Sequence, residues 1–230
     1  MIKIPKKYHP NGFDILYEDS YIIVGNKAAG FLTVGAAWER VNTIHAGLNQ
    51  YVRKGNSKSH KRVFVVHRLD QATSGILIFA KTDKIKIALK DNWAKTVKKY
   101  YVIVHGHMDK KSGTISSYLE EDEDYVVHST GDNGKGKLSH TEYTVLKETP
   151  KFSLLKINLL TGRKNQIRVH LADEGYSVVG DVKYGGNEQK YNNLALHAHS
   201  ISFVHPISRE TLTFQAKVPA YFNKLVDYEY

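Results

Sequence analysis

The amino-acid sequence predicts an α+β domain with a largely antiparallel sheet, and three observations carry that prediction. Many short apolar segments with strand patterning follow one another at hairpin spacing, only a few segments have helical spacing, and strict β-α-β alternation is missing. At 230 residues the chain is near the upper end for one domain, and neither a repeat nor a low-complexity linker divides it.

Taken in order, FDILYED and YIIVGNK read as strands joined by a turn, and GFLTVG continues the extended pattern. NTIHAGLNQYVRKG carries Ile44, Leu48, Tyr51 and Val52 at helical spacing and stops at Gly55 after basic residues. RVFVV and GILIFAKT are strands on either side of HRLDQATS, and TDKIKIALKDNWAKT is a helix with Thr82 or Asp83 as its N-cap. KKYYVIVHG, EYTVLKE, FSLLKINLL, LALHAHSISFVH and TLTFQAKV complete the predicted strands. NQIRVHLADEG and the C-terminal AYFNKLVDYEY read as helices.

The formal charge of +10 is unevenly spread. Between Tyr51 and Lys111 there are 15 Lys and Arg against four Asp and no Glu, a local excess of +11, while EEDED at 120–124 is an acidic counterweight. Such an excess is the footprint of a polyanionic partner, nucleic acid or an anionic membrane surface, although a solvated surface explains the charge equally well. No run of about 18 apolar residues is present to span a membrane, and MIKIPKKYHPNGFDILYED has no apolar core of signal-peptide length. Cysteine is absent, which excludes disulfides, thiolate nucleophiles and Cys-ligated metal centres. An intracellular, cytoplasmic protein is expected.

Two motifs fail on inspection. GDNGKGKL (131–138) fits the spacing of a phosphate-cradling loop, but Leu138 stands where Ser or Thr should hold magnesium, and a strand follows instead of a helix. A hairpin loop is expected there. His105 with His107, and His197 with His199, are i,i+2 pairs on one face of a strand, yet no acidic residue falls nearby at metal-ligand spacing. No metal site is expected.

VVHRLDQATSG (65–75) is different. An apolar strand ends in His67, Arg68 and Asp70, and Thr73, Ser74 and Gly75 turn the chain before a second apolar run. A carboxylate placed at a strand end beside a turn is presented in a cleft. A second basic cluster, TGRKNQIRVHLADEG, holds Arg163 at a turn and Arg168 in the following helix. An arginine can orient a catalytic aspartate and keep it ionised, but it can equally form a structural ion pair. Composition and spacing alone leave both readings open.

These residues resemble the signature of the RluA-type pseudouridine synthases. HRLDQATSG matches H-R-L-D-x-x-T-S-G, and five further blocks follow in the family's order: KKYYVIVHG, TEYTVL, TGRKNQIRVHLA, GDVKYGG and LALHAHSISFVHP. The resemblance implies one catalytic domain over 1–230, with a curved mixed sheet flanked by helices and loops and the catalytic cleft on the sheet. It implies isomerisation of a uridine in structured RNA, ribosomal RNA or tRNA: uracil leaves its N1 linkage, rotates, and is rejoined to the same ribose through C5. No cofactor and no metal are implied. The family's essential carboxylate falls on Asp70, its base-stacking tyrosine on Tyr100, and the arginine that pairs with the carboxylate on Arg168. Arg68 resembles the residue that holds the target nucleotide out of its stack. His67, Thr73, Lys98, Arg163 and Gln166 are assigned with it to the RNA contact. A monomer acting on a loop or stem-loop uridine is expected.

The chain departs from the family pattern at two places. Ala28 of NKAAG occupies the proline position of K-P-x-G, and Asn165 replaces a histidine. About a dozen residues precede the first strand, so no S4-type RNA-binding module is expected. Two other classes compete: an RNA-binding protein without chemistry, and a hydrolase using Asp70. The second would want another carboxylate or a metal, which no motif block supplies.

Overall fold

The computed structural model describes residues 8–36, 39, 41–185 and 191–230. MIKIPKK and the final glycine of GDVKYGG, Gly186, lie outside the described residues. The chain forms two compact units, the first Met1–Thr96 with Ser200–Ala216 and the second Val97–His199 with Lys217–Tyr230. The fold class is α+β as predicted, with antiparallel strand pairing in each unit. Among the described residues no helix is long and apolar enough to cross a membrane.

The first unit contains, in chain order, β1 (Phe13–Glu18), β2 (Ile22–Lys27), α1 (Ile44–Arg53), β3 (Phe64–Val65), β4 (Ser74–Ala80) and α2 (Asp83–Asp91). β1 and β2 form a hairpin whose turn is closed by Asp19, with Oδ1 accepting the N–H groups of Tyr21 and Ile22, both at 2.7 Å. β2 pairs on its other side with β4, and all seven residues of β4 are buried. That is why SGILIFA is nearly all apolar instead of alternating. α1 is capped by Thr43, and α2 by Thr82, whose Oγ1 accepts the Ile85 N–H at 3.2 Å. Ile85 and Leu89 of α2 pack with Ile22, Val24, Ile76 and Ile78, each fully buried side chain contributing ~1.5–3 kcal/mol.

Two expectations for this unit need correction. GFLTVG forms no strand, only an isolated bridge from Leu32 to Thr43. The predicted second helix stops at Asp91, and Trp93–Lys95 form a separate 3-10 turn.

The second unit is built on β5 (Val97–His105), β6 (Ser112–Glu121), β7 (Val127–Thr130), β8 (Lys137–Glu148), β9 (Phe152–Leu159) and α3 (Gln166–Asp173). The strand order is β5-β9-β8-β6-β7. Its core gathers Val102, Ile103, Leu154, Leu155, Ile157, Leu171 and Phe222. The chain passes into the first unit within β10 (Leu196–Val204), and from Ser200 onward β10 pairs with β11 (Thr211–Gln215). α4 (Ala220–Leu225) is shorter than AYFNKLVDYEY suggests. Its tail is extended at Val226, and Tyr230 packs its ring on Tyr101 and Phe222.

β6 and β7 were not anticipated, because SGTISSYLEE is too polar to declare itself as a strand. Their presence also revises GDNGKGKL. The segment joins β7 to β8, and both of these strands flank β6, so it is a crossover and not a hairpin. Gly136 crosses close to β6, where an added Cβ would lie 2.9 Å from the Tyr118 Cβ and from Thr130 Oγ1. Leu138 lies in β8, so no helix N-terminus exists to cradle phosphate.

Candidate active site

In the first unit the structure brings His67, Arg68, Asp70 and Thr73 into one loop between β3 and β4, and hydrogen bonds hold that loop from several sides. Thr33 Oγ1 donates to the Leu69 carbonyl at 2.8 Å and accepts the Leu69 N–H at 3.2 Å. The Gln71 carbonyl accepts from the Gly30 N–H at 2.8 Å, and Gln71 Nε2 donates to the Gly30 carbonyl at 2.9 Å. The Thr73 N–H closes a turn on the Asp70 carbonyl at 3.1 Å. Asp70 is thus flanked on both sides by residues tied to the 30–33 segment. Gly30 sits at φ 90, a conformation that favours glycine.

Lys27 ties the same parts together from within. Its side chain is fully buried, and Nζ donates to the carbonyls of Ala28, Phe31 and Gln71 at 3.0, 2.8 and 3.0 Å. Burial pushes its pKa down to about 7, while the Asp70 carboxylate pulls in the opposite direction. The Ala28 departure has a visible consequence here, since the Ala28 N–H donates to the Gly12 carbonyl at 2.8 Å. A proline could not make that bond.

In the second unit Arg163, Gln166 and Arg168 gather at the start of α3. Arg168 is buried, and its Nε and Nη2 donate to Oδ2 and Oδ1 of Asp181, both at 2.7 Å. The guanidinium carbon lies 5.1 Å from the centre of the Tyr184 ring. Burial alone would raise the Asp181 carboxyl, but the Arg168 guanidinium and the N–H groups of Tyr184 and Lys183 outweigh it and hold the pKa below its usual range. Asn165 precedes α3 at φ 53, in the left-handed region that asparagine tolerates well, and its Oδ1 accepts the Tyr184 hydroxyl at 3.3 Å.

Behind Arg168 runs a directional chain of hydrogen bonds. His170 is buried, and burial lowers its pKa to about 4 against the opposing charge of Asp173, so the ring is neutral near pH 7. Its Nδ1 meets Thr141 Oγ1 at 2.9 Å, and its Nε2 meets Ser117 Oγ at 3.1 Å. Since Ser129 Oγ gives its proton to Asp173, Ser117 Oγ donates to Ser129, His170 Nε2–H donates to Ser117, and Nδ1 accepts from Thr141 Oγ1. The chain continues through Ser129 to Asp173.

Three residues assigned to the RNA contact are buried in the structure. Gln166 is 2% exposed and all four hydrogen-bonding positions of its amide are used within the unit. Oε1 accepts from Thr161 Oγ1 and the Arg163 N–H, and Nε2 donates to the His140 carbonyl and Thr141 Oγ1. Thr73 is 2% exposed and belongs to the turn. Lys98 is also buried, and burial lowers its pKa. His67 is half-buried: its Nε2 accepts the Ile78 N–H at 3.1 Å, and its ring packs on Trp93 with centres 4.7 Å apart. Arg68 and Arg163 are exposed. Tyr100 lies half-buried in β5 opposite Ile157 of β9.

Lys27, Thr33, Asp181 and Tyr184 were missed by the sequence reading. The signal for the last two lies in GDVKYGG, whose aspartate and tyrosine both hold Arg168. Among the described residues, no group of three or more His, Asp or Glu is arranged to hold a metal ion.

Comparison with known proteins agrees with the motif blocks. The family model described as RNA pseudouridylate synthase matches residues 21–173. An uncharacterised RNA pseudouridine synthase of Mycoplasma pneumoniae is 35% identical over 98% of this chain and 74% of its own. The dual-specificity RNA pseudouridine synthase RluA of Vibrio cholerae is 35% identical over 85% of this chain and 78% of its own. The solved structure of human RNA pseudouridylate synthase domain containing 4 shares the fold, with a TM-score of 0.74 at 22% identity over 90% of this chain and 89% of that one. With Asp70 in a tied loop at a strand end, Arg168 clasped by Asp181, and a family match running through both segments, this chain belongs to the RNA pseudouridylate synthase family.

Proposed function

We propose that the protein isomerises a uridine in a loop or stem-loop of ribosomal RNA or tRNA, with Asp70 as the reacting carboxylate. The observation that carries this reading is the loop around Asp70. Thr33, Gly30 and the buried Lys27 all bond to the residues beside it, an arrangement that fixes the position of a reactive group through its neighbours. Tyr100 and Arg168 take part in the same reaction, a reading that rests on the motif resemblance. Tyr100 stacks on the target base, and Arg168 keeps the Asp70 carboxylate ionised and oriented. The chain 1–230 acts as one catalytic domain and as a monomer.

A uracil must leave its stack to rotate, at a cost of a few kcal/mol, and that cost is least where the base is already unpaired. The substrate is therefore a compact stem-loop. RNA labelled with tritium at uracil C5 tests the reaction: isomerisation releases tritium with the strand intact, binding alone releases none, and a glycosidase liberates free base. Once the site is mapped in cellular RNA, the isolated hairpin should be converted. Modification of the whole ribosomal particle with no conversion of the hairpin would refute local recognition.

A further inference from the structure

The segment RKGNSKSHKR, from Arg53 to Arg62, contains five cationic side chains, one histidine and no carboxylate. In the structure it is a built loop. α1 ends at Arg53, Lys54 turns the chain at φ 52, and Gly55 at φ 75 lies against Tyr8, whose hydroxyl oxygen a Cβ would approach to 2.3 Å. The Asn56 N–H donates to the Arg53 carbonyl at 2.9 Å, and Asn56 Oδ1 accepts the Lys58 N–H at 3.0 Å. Arg53 Nε donates to the Lys61 carbonyl at 3.1 Å and so staples the two ends of the loop together. Arg62 stacks on Phe64 with its guanidinium carbon 4.9 Å from the ring centre.

This frame surrounds a cavity of about 510 Å³ lined by Arg53, Ser57, Lys58, Ser59, His60 and Arg62. A second cavity, of about 400 Å³, shares Arg62 and adds Lys54, Lys61 and Lys81. Among the described residues, none of the five cations of the loop has a carboxylate within 4.0 Å. The nearest acidic group lining the second cavity, Glu18, is already taken by Lys81 and the Tyr51 hydroxyl. Cations in the last turn of a helix complement its dipole, which accounts for Arg53 and Lys54 but not for Lys58, Lys61 and Arg62 beyond it. The carbonyl end of α1 would repel a lone anion, so the side chains alone must attract one. Five of them spread over two adjoining cavities suit a repeating polyanion.

We propose that the Arg53–Arg62 loop is a sequence-independent site for the backbone phosphates of the RNA stem that flanks the target uridine. The proposal deepens the reading of Asp70 as the reacting carboxylate and rests on it. Asp70 lies only eight positions beyond Arg62, a span of at most about 29 Å of extended chain. At 3.4 Å per nucleotide of stacked strand, the phosphates held lie within roughly eight nucleotides of the target. The site fixes the stem, and the loop around Asp70 receives the base.

The test uses the double variant Lys58→Gln with Arg62→Gln, leaving Arg53 to brace the loop. The probes are an RNA hairpin with a uridine loop and a short stem, and the same hairpin extended by about one helical turn. For the extended hairpin, Kd should rise on the order of tenfold, and the slope of log Kd against log salt should fall by about 1.5. The short hairpin should bind both proteins equally, and the single-turnover rate at saturating RNA should stay within about twofold of the parent. If the variant melts at a lower temperature, Lys54→Gln with Lys61→Gln carries the same expectation. Unchanged affinity and salt slope, equal weakening for both hairpins, or weakened binding only to phosphatidylserine vesicles would each overturn the proposal. Failure of the enzymatic reading shows separately, as a parent protein that releases no tritium from any RNA.

Discussion

The loop around Asp70 and the start of α3 hold their ionic groups in opposite ways. Asp70 is placed through its neighbours: the bonds from Thr33, Gly30 and Lys27 go to the main chain of Leu69 and Gln71. Arg168 is placed through its own charge, by two parallel bonds to Asp181 and by the Tyr184 ring. A scaffold of main-chain bonds sets the position of the residue through its neighbours. A charged clasp makes position and charge inseparable, so losing the partner removes both.

The sharpest way to break this contrast is Asp70→Asn. If Asp70 only reacts and does not hold its loop, the variant should lose about three orders of magnitude in turnover or more, with melting temperature and RNA affinity nearly unchanged. Tritium release and a binding titration measure the two parts. A variant that unfolds would show that the carboxylate supports its own loop.

Asp181→Asn should behave otherwise. It takes the clasping carboxylate away from the buried Arg168, so a loss of about 3–5 kcal/mol in stability is expected together with a loss of activity. Urea denaturation reads the first and tritium release the second. Full activity would mean that the clasp on Arg168 serves packing alone.

Lys27→Met should cost about 2–4 kcal/mol, because the carbonyls of Ala28, Phe31 and Gln71 lose the Nζ donor that ties them together. It should also change the pH dependence. The folded pKa of Lys27, about 7, lies below its unfolded value of 10.5, so between these limits the unfolded chain binds the extra proton. The contribution of Lys27 to stability therefore rises as pH increases from about 7 to 10.5, and this rise should vanish in the variant. Thermal melts across that range measure it.

The smallest effect is expected at His170. Its folded pKa of about 4 lies below the unfolded 6.5, so its contribution is present above pH 6.5 and is lost as pH falls toward 4. The parent should lose about 1–2 kcal/mol more than His170→Gln between pH 6.5 and pH 5. Equal acid sensitivity in the two proteins would place the titrating group elsewhere.

Strong local signals were legible without coordinates. The apolar run of β4 and the Thr82 cap of α2 follow from short-range rules, and both are present, whereas the turn read at Thr73–Gly75 lies earlier, at Asp70–Thr73, because Ser74 and Gly75 already belong to β4. Polar strands were not legible: β6 and β7 owe their existence to the partners they pair with, and nothing in SGTISSYLEE states what those partners are. The same limit applied to the site. Gln166 looks like an RNA-binding residue in a basic segment, and only the positions of Thr161, His140 and Thr141 around its amide show that it is a brace.

The sequence by itself determined the family, the segment that bears the carboxylate and the uneven charge, because these depend on residue identity and order. Tertiary structure alone decided that Lys27 lies buried beneath the Asp70 loop, that Asp181 clasps Arg168, and that the cations of Arg53–Arg62 share a frame around two cavities. Hydrogen bonds and ion pairs act over about 3 Å, while these partners stand from 9 to 44 residues apart in the chain. Only folding converts such separations into contact.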